Sequence, residues 1–362
     1  MPERKLKPSS LASEIAGLKE SGQLHVLSAA ELDQRLAGVT IPDRADAVFE
    51  GGGVKGIALT GAIGVAEHLG TRWNRLAGTS AGAITACLLA AGYTAEELIP
   101  ILTEEMDFKD FMDEGLVDRI PLIGKLASAI FEKGIYEGDY FEDWMGDKLE
   151  AKGVETFADL KDDDGDYRLK LIASDVTQRQ MLVLPDDLPA YGRDPDDFSV
   201  ARAARMSMSI PYFFEPVELD IANLEPGKRG RRKCYIVDGG LLSNFPVWLF
   251  DAALGQTPRW PTYGFKLVEP DSGEPSASRL PHQYIMSLIS TMMEAHDKAY
   301  INVRDFQRTV GIPTMGIQTT QFDLSDEDKI LLLRAGQEAA IKFFGAWSFD
   351  DYKQQRAAMS AE

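Results

Sequence analysis

The sequence predicts an α/β fold: a mainly parallel central sheet flanked by helices on both faces, with a helical insertion and an N-terminal extension. Two observations carry this expectation. From Ala45 onward, short apolar runs alternate with segments of helical periodicity, as in a parallel sheet whose crossovers are helices. The 362 residues are 44% hydrophobic and show no internal repeat, which suits a globular chain with a sizeable core.

The elements follow in order. Residues 1–44 read as a polar extension with short helices such as A-E-L-D-Q-R-L, and the catalytic domain is expected over 45–346, with a tail at 347–362. A-D-A-V-F (Ala45–Phe49) reads as the first strand, Gly53–Leu69 as a helix, and Trp73–Ala77 as a short strand. Ala81–Ala91 reads as a helix closed by Gly92, and Thr94 with Glu97 forms a capping box for the next. Residues from about 100 to 160 are expected to be a mostly helical insertion. Its apolar stretch Leu116–Phe131 is either a lid that meets a lipid interface or a core-packing hairpin. Strands return at Arg168–Ala173, Met181–Leu184, Cys234–Val237 and Tyr263–Val268, with a helix over Val200–Met208. Two long helices close the chain, around Gln283–Asp305 and Ser325–Phe344, the second opened by Ser325 and closed by Gly345.

Acidic residues outnumber basic ones, 57 to 38, for a net charge of −19, which argues against duplex nucleic acid or an anionic membrane as a partner of the whole surface. The local exception is the basic run Gly227–Lys233 before the Cys234 strand, either a solvated hairpin tip or a contact for headgroup phosphates. Two cysteines, Cys87 and Cys234, offer neither a disulfide framework nor a CxxC metal knuckle. The charged N-terminus lacks the apolar core of a Sec signal, and the longest nearly apolar run, Ala81–Tyr93, is too short to span a bilayer. A cytoplasmic or membrane-peripheral location is therefore expected, with export by a dedicated secretion system left open.

Chemistry concentrates where strands end. V-F-E-G-G-G-V-K-G (Val48–Gly56) contains G-x-G-x-x-G, but the next strand ends without the carboxylate that a dinucleotide site uses for the ribose. A Walker loop also fails, since Gly56 rather than Ser or Thr follows Lys55. At the carboxylate's place stands Gly78-Thr79-Ser80-Ala81-Gly82, a G-x-S-x-G at a strand-to-helix turn. That context makes Ser80 a candidate nucleophile on a strained elbow. Gly51, Gly52 and Gly53 would then supply bare backbone N–H groups to an oxyanion, with Lys55 holding the loop or the charge. Two bases are open. Asp238 follows the apolar strand Y-I-V and precedes Gly239-Gly240, a strand end where open α/β sheets place ligands. His282 would complete a hydrolase-type Ser80, Asp238, His282 order.

These blocks, together with the looser Ala204–Pro211, resemble the patatin-like phospholipases, serine lipid acyl hydrolases with a Ser-Asp dyad. The likeness spans about Ala45–Trp248. It implies Ser80 as nucleophile, Asp238 as its base and Gly51–Gly53 as the oxyanion loop, with no metal or organic cofactor. Glu50, Lys55 and Gly240 stand where many members have Asp, Arg and Ala. The implied substrate is a phospholipid or another lipid ester met at a membrane surface. Alternatives that share the site are an acyltransferase, a carboxylesterase on soluble esters, and a phospholipase effector silent until a protein activator binds.

Overall fold

The computed structural model describes residues 8–106, 138–211, 213–222, 230–253, 256–269, 303–319, 321 and 323–359. The expected insertion stretch Leu116–Phe131, His282, and nearly all of the helix expected at Gln283–Asp305 lie outside them.

Eight strands form one mixed sheet in the order β5-β6-β3-β2-β1-β7-β8, with β4 paired to β3. The strands are β1 (Arg44–Phe49), β2 (Arg72–Thr79), β3 (Leu169–Asp175), β4 (Gln180–Leu184), β5 (Val217–Ala222), β6 (Arg231–Asp238), β7 (Thr262–Val268) and β8 (Thr309–Pro313). The centre, β3-β2-β1-β7-β8, is parallel, whereas β6 meets β3 antiparallel and β5 meets β6 antiparallel. β1 shows why the centre reads as a continuous apolar run: five of its six residues are buried, as a strand covered on both faces requires.

Helices flank the sheet. The helices α1 (Pro8–Glu20), α2 (Ala29–Arg35), α3 (Ile57–His68), α4 (Ala81–Ala90) and α5 (Ala95–Pro100) come first. Then follow α6 (Asp139–Glu150), α7 (Val200–Ser207), α8 (Asp326–Phe344) and α9 (Phe349–Met359). α3 and α4 are buried almost all round, so their apolar composition lacks a polar stripe. α3 crosses α8 at two glycines: a Cβ on Gly61 would overlap the Leu333 carbonyl, and one on Gly336 the Ala58 carbonyl. A smaller cluster, Phe245, Val247 and Phe250, packs against Val48 and Ala77, which alternate with the Ala47, Phe49 and Leu76 of the main core.

The N-terminal segment is built into this core. Leu11, Ile15, Leu27, Leu32, Leu36 and Ile41 are buried in it. Gln337 of α8 reaches the Leu27 backbone from both sides, accepting from its N–H at 2.7 Å and donating to its carbonyl at 3.1 Å. The helix expected from Gly53 starts later: Gly53–Gly56 is a 3-10 turn and α3 begins at Ile57. Gly53 has φ +55, a conformation a regular helix does not contain. Strands β5 and β8 add to the sequence reading.

Candidate active site

The site is a consequence of how three strands end. Along one edge of β3, β2 pairs in parallel up to Thr79↔Ile172, and β6 comes from the other direction and ends at Asp238↔Ala173. β4 occupies the opposite edge of the same β3 residues. The two strands therefore meet head to head at consecutive β3 positions. Ser80, the residue after β2, and Asp238, the last of β6, are brought together by backbone register.

Ser80 caps α4 with φ 54 and ψ −125, a left-handed conformation that costs an L-residue roughly 1–3 kcal/mol. The surroundings enforce it. A Cβ on Gly78 would overlap the Gly82 carbonyl, and one on Gly82 would overlap the Phe49 carbonyl, so both must be bare for α4 to start against the strand ends. The Ser80 N–H donates to Ser207 Oγ at 3.1 Å, and that hydroxyl donates to the Ile172 carbonyl at 2.6 Å.

Asp238 is 1% exposed. Its Oδ1 accepts the Gly240 N–H at 2.7 Å, and its own N–H donates to the Ser209 carbonyl at 2.8 Å. Oδ2 is buried and accepts no hydrogen bond of full geometry among the described residues. The Ser80 hydroxyl favours the ionised form of this carboxyl. Catalytic hydrogen bonds are often unformed before substrate binds. Burial pushes the carboxyl up to about 6, against the pull of Ser80 and the Gly240 N–H.

The glycine loop lies beside the elbow. A Cβ on Gly51 would sit 3.0 Å from Ser80 Cβ and overlap Asn244 Oδ1. The Gly51 N–H does not face a substrate, however: it donates to the Asn244 carbonyl at 3.2 Å, while Asn244 Nδ2 donates to the Gly51 carbonyl at 3.1 Å. Gly51 thus allows the close approach, with its N–H and carbonyl both engaged by Asn244. The N–H groups of Gly52 and Gly53 donate to no acceptor among the described residues. Lys55 is buried in the turn with its Nζ 2.8 Å from Glu269 Oε1, just past β7. Glu50 anchors the loop's other end, accepting the Leu267 N–H at 2.6 Å and pairing with Lys266.

Among the described residues, Gly53, Ser80, Ala81, Ile84, Met208, Ile210, Phe213 and Phe214 line an apolar pocket at the serine. A second apolar pocket shares Gly53, Ala81 and Ile84 and extends to Leu102 and Met106. His25 pairs with Glu31 at 2.8 Å and His68 with Asp33 at 2.9 Å, both within contacts of the N-terminal helices. Asn244 and the individual roles of Ser207 and Ser209 were not foreseen. Only the Ser-rich block Ala204–Pro211 pointed toward the last two.

Residues 47–251 match the family described as patatin-like phospholipase, and the chain belongs to that family. Membership supports a lipid ester hydrolase. The chain is 42% identical over 306 residues to the uncharacterised protein YqhO of Bacillus subtilis, covering 84% of this chain and 99% of that protein. It is 25% identical over 308 residues to the uncharacterised protein R571 of Acanthamoeba polyphaga mimivirus, covering 80% and 89%. Among solved structures, VipD from Legionella pneumophila is similar with a TM-score of 0.48 and 17% identity, over 84% of this chain and 67% of that one.

Proposed function

We propose that the protein is a lipid acyl hydrolase of phospholipase A or lysophospholipase type, acting through a Ser80–Asp238 dyad. The observation that carries this reading is the head-to-head meeting of β2 and β6 on Ile172 and Ala173, which sets a hydroxyl on a strained elbow beside a buried carboxylate.

The Ser80 Oγ attacks the ester carbonyl while Asp238 Oδ2 takes its proton, giving a tetrahedral oxyanion. The N–H groups of Gly52 and Gly53, at the start of a helical turn, stabilise that charge; one such donor is typically worth about 3–4 kcal/mol. Collapse of the intermediate breaks the ester C–O bond, and the leaving alcohol takes the proton from Asp238. Water then attacks the acyl-enzyme with Asp238 again as base, releasing the fatty acid and restoring the Ser80 hydroxyl. The apolar walls Met208, Ile210, Phe213 and Phe214 favour an acyl chain over a polar substituent at the serine. No helix among the described residues is long and apolar enough to cross a membrane.

The test is fluorophosphonate labelling of the purified chain with the modified peptide mapped, alongside hydrolysis of micellar phospholipid and of a monomeric soluble ester. Labelling on Ser80, absent from Ser80→Ala, with preference for the micellar lipid is expected. Unchanged labelling of Ser80→Ala removes the nucleophile assignment, and activity confined to the soluble ester removes the lipid substrate.

A further inference from the structure

One short segment, residues 205–211 with Phe213 and Phe214, touches both members of the dyad and forms a wall of the pocket. The Ser207 hydroxyl sits between the Ser80 N–H and the Ile172 carbonyl, with donor–acceptor distances of 3.1 and 2.6 Å. Ile172 is the β3 residue that pairs with Thr79, so this hydroxyl ties the elbow to the strand on which it is registered. Two residues further, the Ser209 carbonyl accepts the Asp238 N–H at 2.8 Å. Met208, Ile210, Phe213 and Phe214 of the same segment face the serine across the pocket.

The segment is braced as a unit. Arg205, buried and with its pKa lowered by that burial to about 10, hydrogen-bonds to Ser209 Oγ, donates to the Glu215 carbonyl at 2.9 Å, and stacks 5.1 Å over the Phe214 ring. Ser209 Oγ in turn donates to the Arg205 carbonyl at 2.6 Å. A push on its pocket side therefore reaches Ser207 and Ser209 together.

Among the described residues, the enclosed part of the pocket is about 20 Å³, room for about one water. Of the residues lining it, Ala81 and Ile84 belong to α4, which is held against the strand ends by bare glycine contacts at Gly78 and Gly82, whereas Met208, Ile210, Phe213 and Phe214 belong to the other wall. Asp238 Oδ2, meanwhile, is buried with no hydrogen-bond partner among the described residues.

We infer that Ser207 is a positioning residue for Ser80, and that this segment couples filling of the acyl pocket to alignment of the Ser80 hydroxyl with Asp238. The inference rests on the nucleophile and base assignment of the previous section. It assigns the acyl chain a role in kcat as well as in binding, because remote contacts bring the reacting groups into line.

The experiment uses the full chain with Ser207→Ala, Ser207→Thr and Ser80→Ala, and p-nitrophenyl esters of increasing acyl length below their micelle concentration. In the unsubstituted protein, kcat should rise from the acetyl to the decanoyl ester. Ser207→Ala should lower kcat on the longer ester about 10- to 100-fold, the scale of a small misplacement of reacting groups. KM should change little, and the gain of kcat with chain length should vanish. Ser207→Thr, which keeps the hydroxyl, should restore both. A folded Ser207→Ala with unsubstituted kcat, or with the chain-length gain intact, overturns the inference. Loss of activity in Ser207→Ala that Ser207→Thr does not recover overturns it as well. If Ser207→Ala does not fold, alkyl fluorophosphonates on the unsubstituted protein decide: an increase with chain length in the inactivation rate constant supports the coupling, and one confined to reversible affinity overturns it. Labelling that persists in Ser80→Ala instead overturns the dyad assignment beneath it.

Discussion

Thr79 of β2 and Asp238 of β6 pair with consecutive residues of β3, Ile172 and Ala173, from opposite directions. A parallel strand and an antiparallel one sharing a single edge must stop where they meet. Side chains at that meeting point are set by backbone hydrogen bonds, the most rigid constraint a fold offers. Gly239 shows how closely the junction is drawn, since a Cβ there would overlap the Ile172 carbonyl.

Asp238→Asn keeps the shape of the side chain and removes its capacity to accept a proton. Loss of a general base typically costs about 10²- to 10⁴-fold, so kcat should fall within that range while the fold is retained. The check is steady-state kinetics beside a thermal unfolding curve. Turnover within a fewfold of the unsubstituted protein would move the base to another group, His282 being the one the sequence offers.

The same carboxyl predicts a pH dependence. Burial holds the Asp238 proton up to about 6, so kcat/KM should fall as pH drops through about 6, with a slope of one, and level off above it. Stability runs the other way. The folded state retains a proton that the unfolded chain releases near 3.8, so stability is lost as pH rises from about 4 through about 6. A shift of about two units corresponds to roughly 3 kcal/mol. Asp238→Asn should therefore be the more stable protein at about pH 8 by up to that amount, with the difference vanishing near pH 4. A kcat/KM profile flat through this window would separate Asp238 from the chemistry.

Gly53 tests the oxyanion loop. It has φ +55, and a Cβ there would overlap the Thr319 carbonyl, which also accepts the Val54 N–H at 3.3 Å. Gly53→Ala must move the backbone that presents two N–H groups, and kcat should fall about 10²- to 10³-fold, the measure of one lost oxyanion donor. KM for a monomeric ester should change far less. Equal losses in kcat and in affinity for a neutral ground-state analogue would assign the loop to binding.

Much of this arrangement was legible in the sequence because its signals are local. The elbow Gly78–Gly82 and the glycine loop need bare backbone at fixed offsets, and the buried strand Tyr263–Val268 is apolar but for Lys266, which pairs with Glu50. What was not legible depends on pairing. β8 (T-V-G-I-P) carries a glycine and a proline that weaken its strand signal. The engagement of the Gly51 N–H depends on Asn244, far along the chain. Ser207 could be read only as part of a Ser-rich block until its hydroxyl was seen between Ser80 and Ile172. The N-terminal helices read as a polar extension because their buried residues, such as Leu11 and Ile15, are few and widely spaced.

The crossing of α3 and α8 offers a prediction that separates stability from chemistry. Gly61 and Gly336 lie where the two helices are nearly in backbone contact, each facing a carbonyl of the other helix, at Leu333 and Ala58. In an exposed helix, replacing glycine by alanine is favourable by up to about 1 kcal/mol, since alanine leaves less backbone freedom to lose. Here the added methyl meets backbone that cannot rotate away, so the helices must separate and the packing around Leu332 and Ile63 must open. Overpacking of this kind typically costs about 1–3 kcal/mol, which outweighs the propensity gain, and either substitution should lower the unfolding midpoint. Neither residue lines the pocket at Ser80, so kcat of the folded fraction should stay within about twofold of the unsubstituted value, as for independent sites. Denaturant unfolding and active-site titration with a fluorophosphonate on the same preparations make the comparison. A stabilised Gly61→Ala would show that the two helices are farther apart than their glycines indicate.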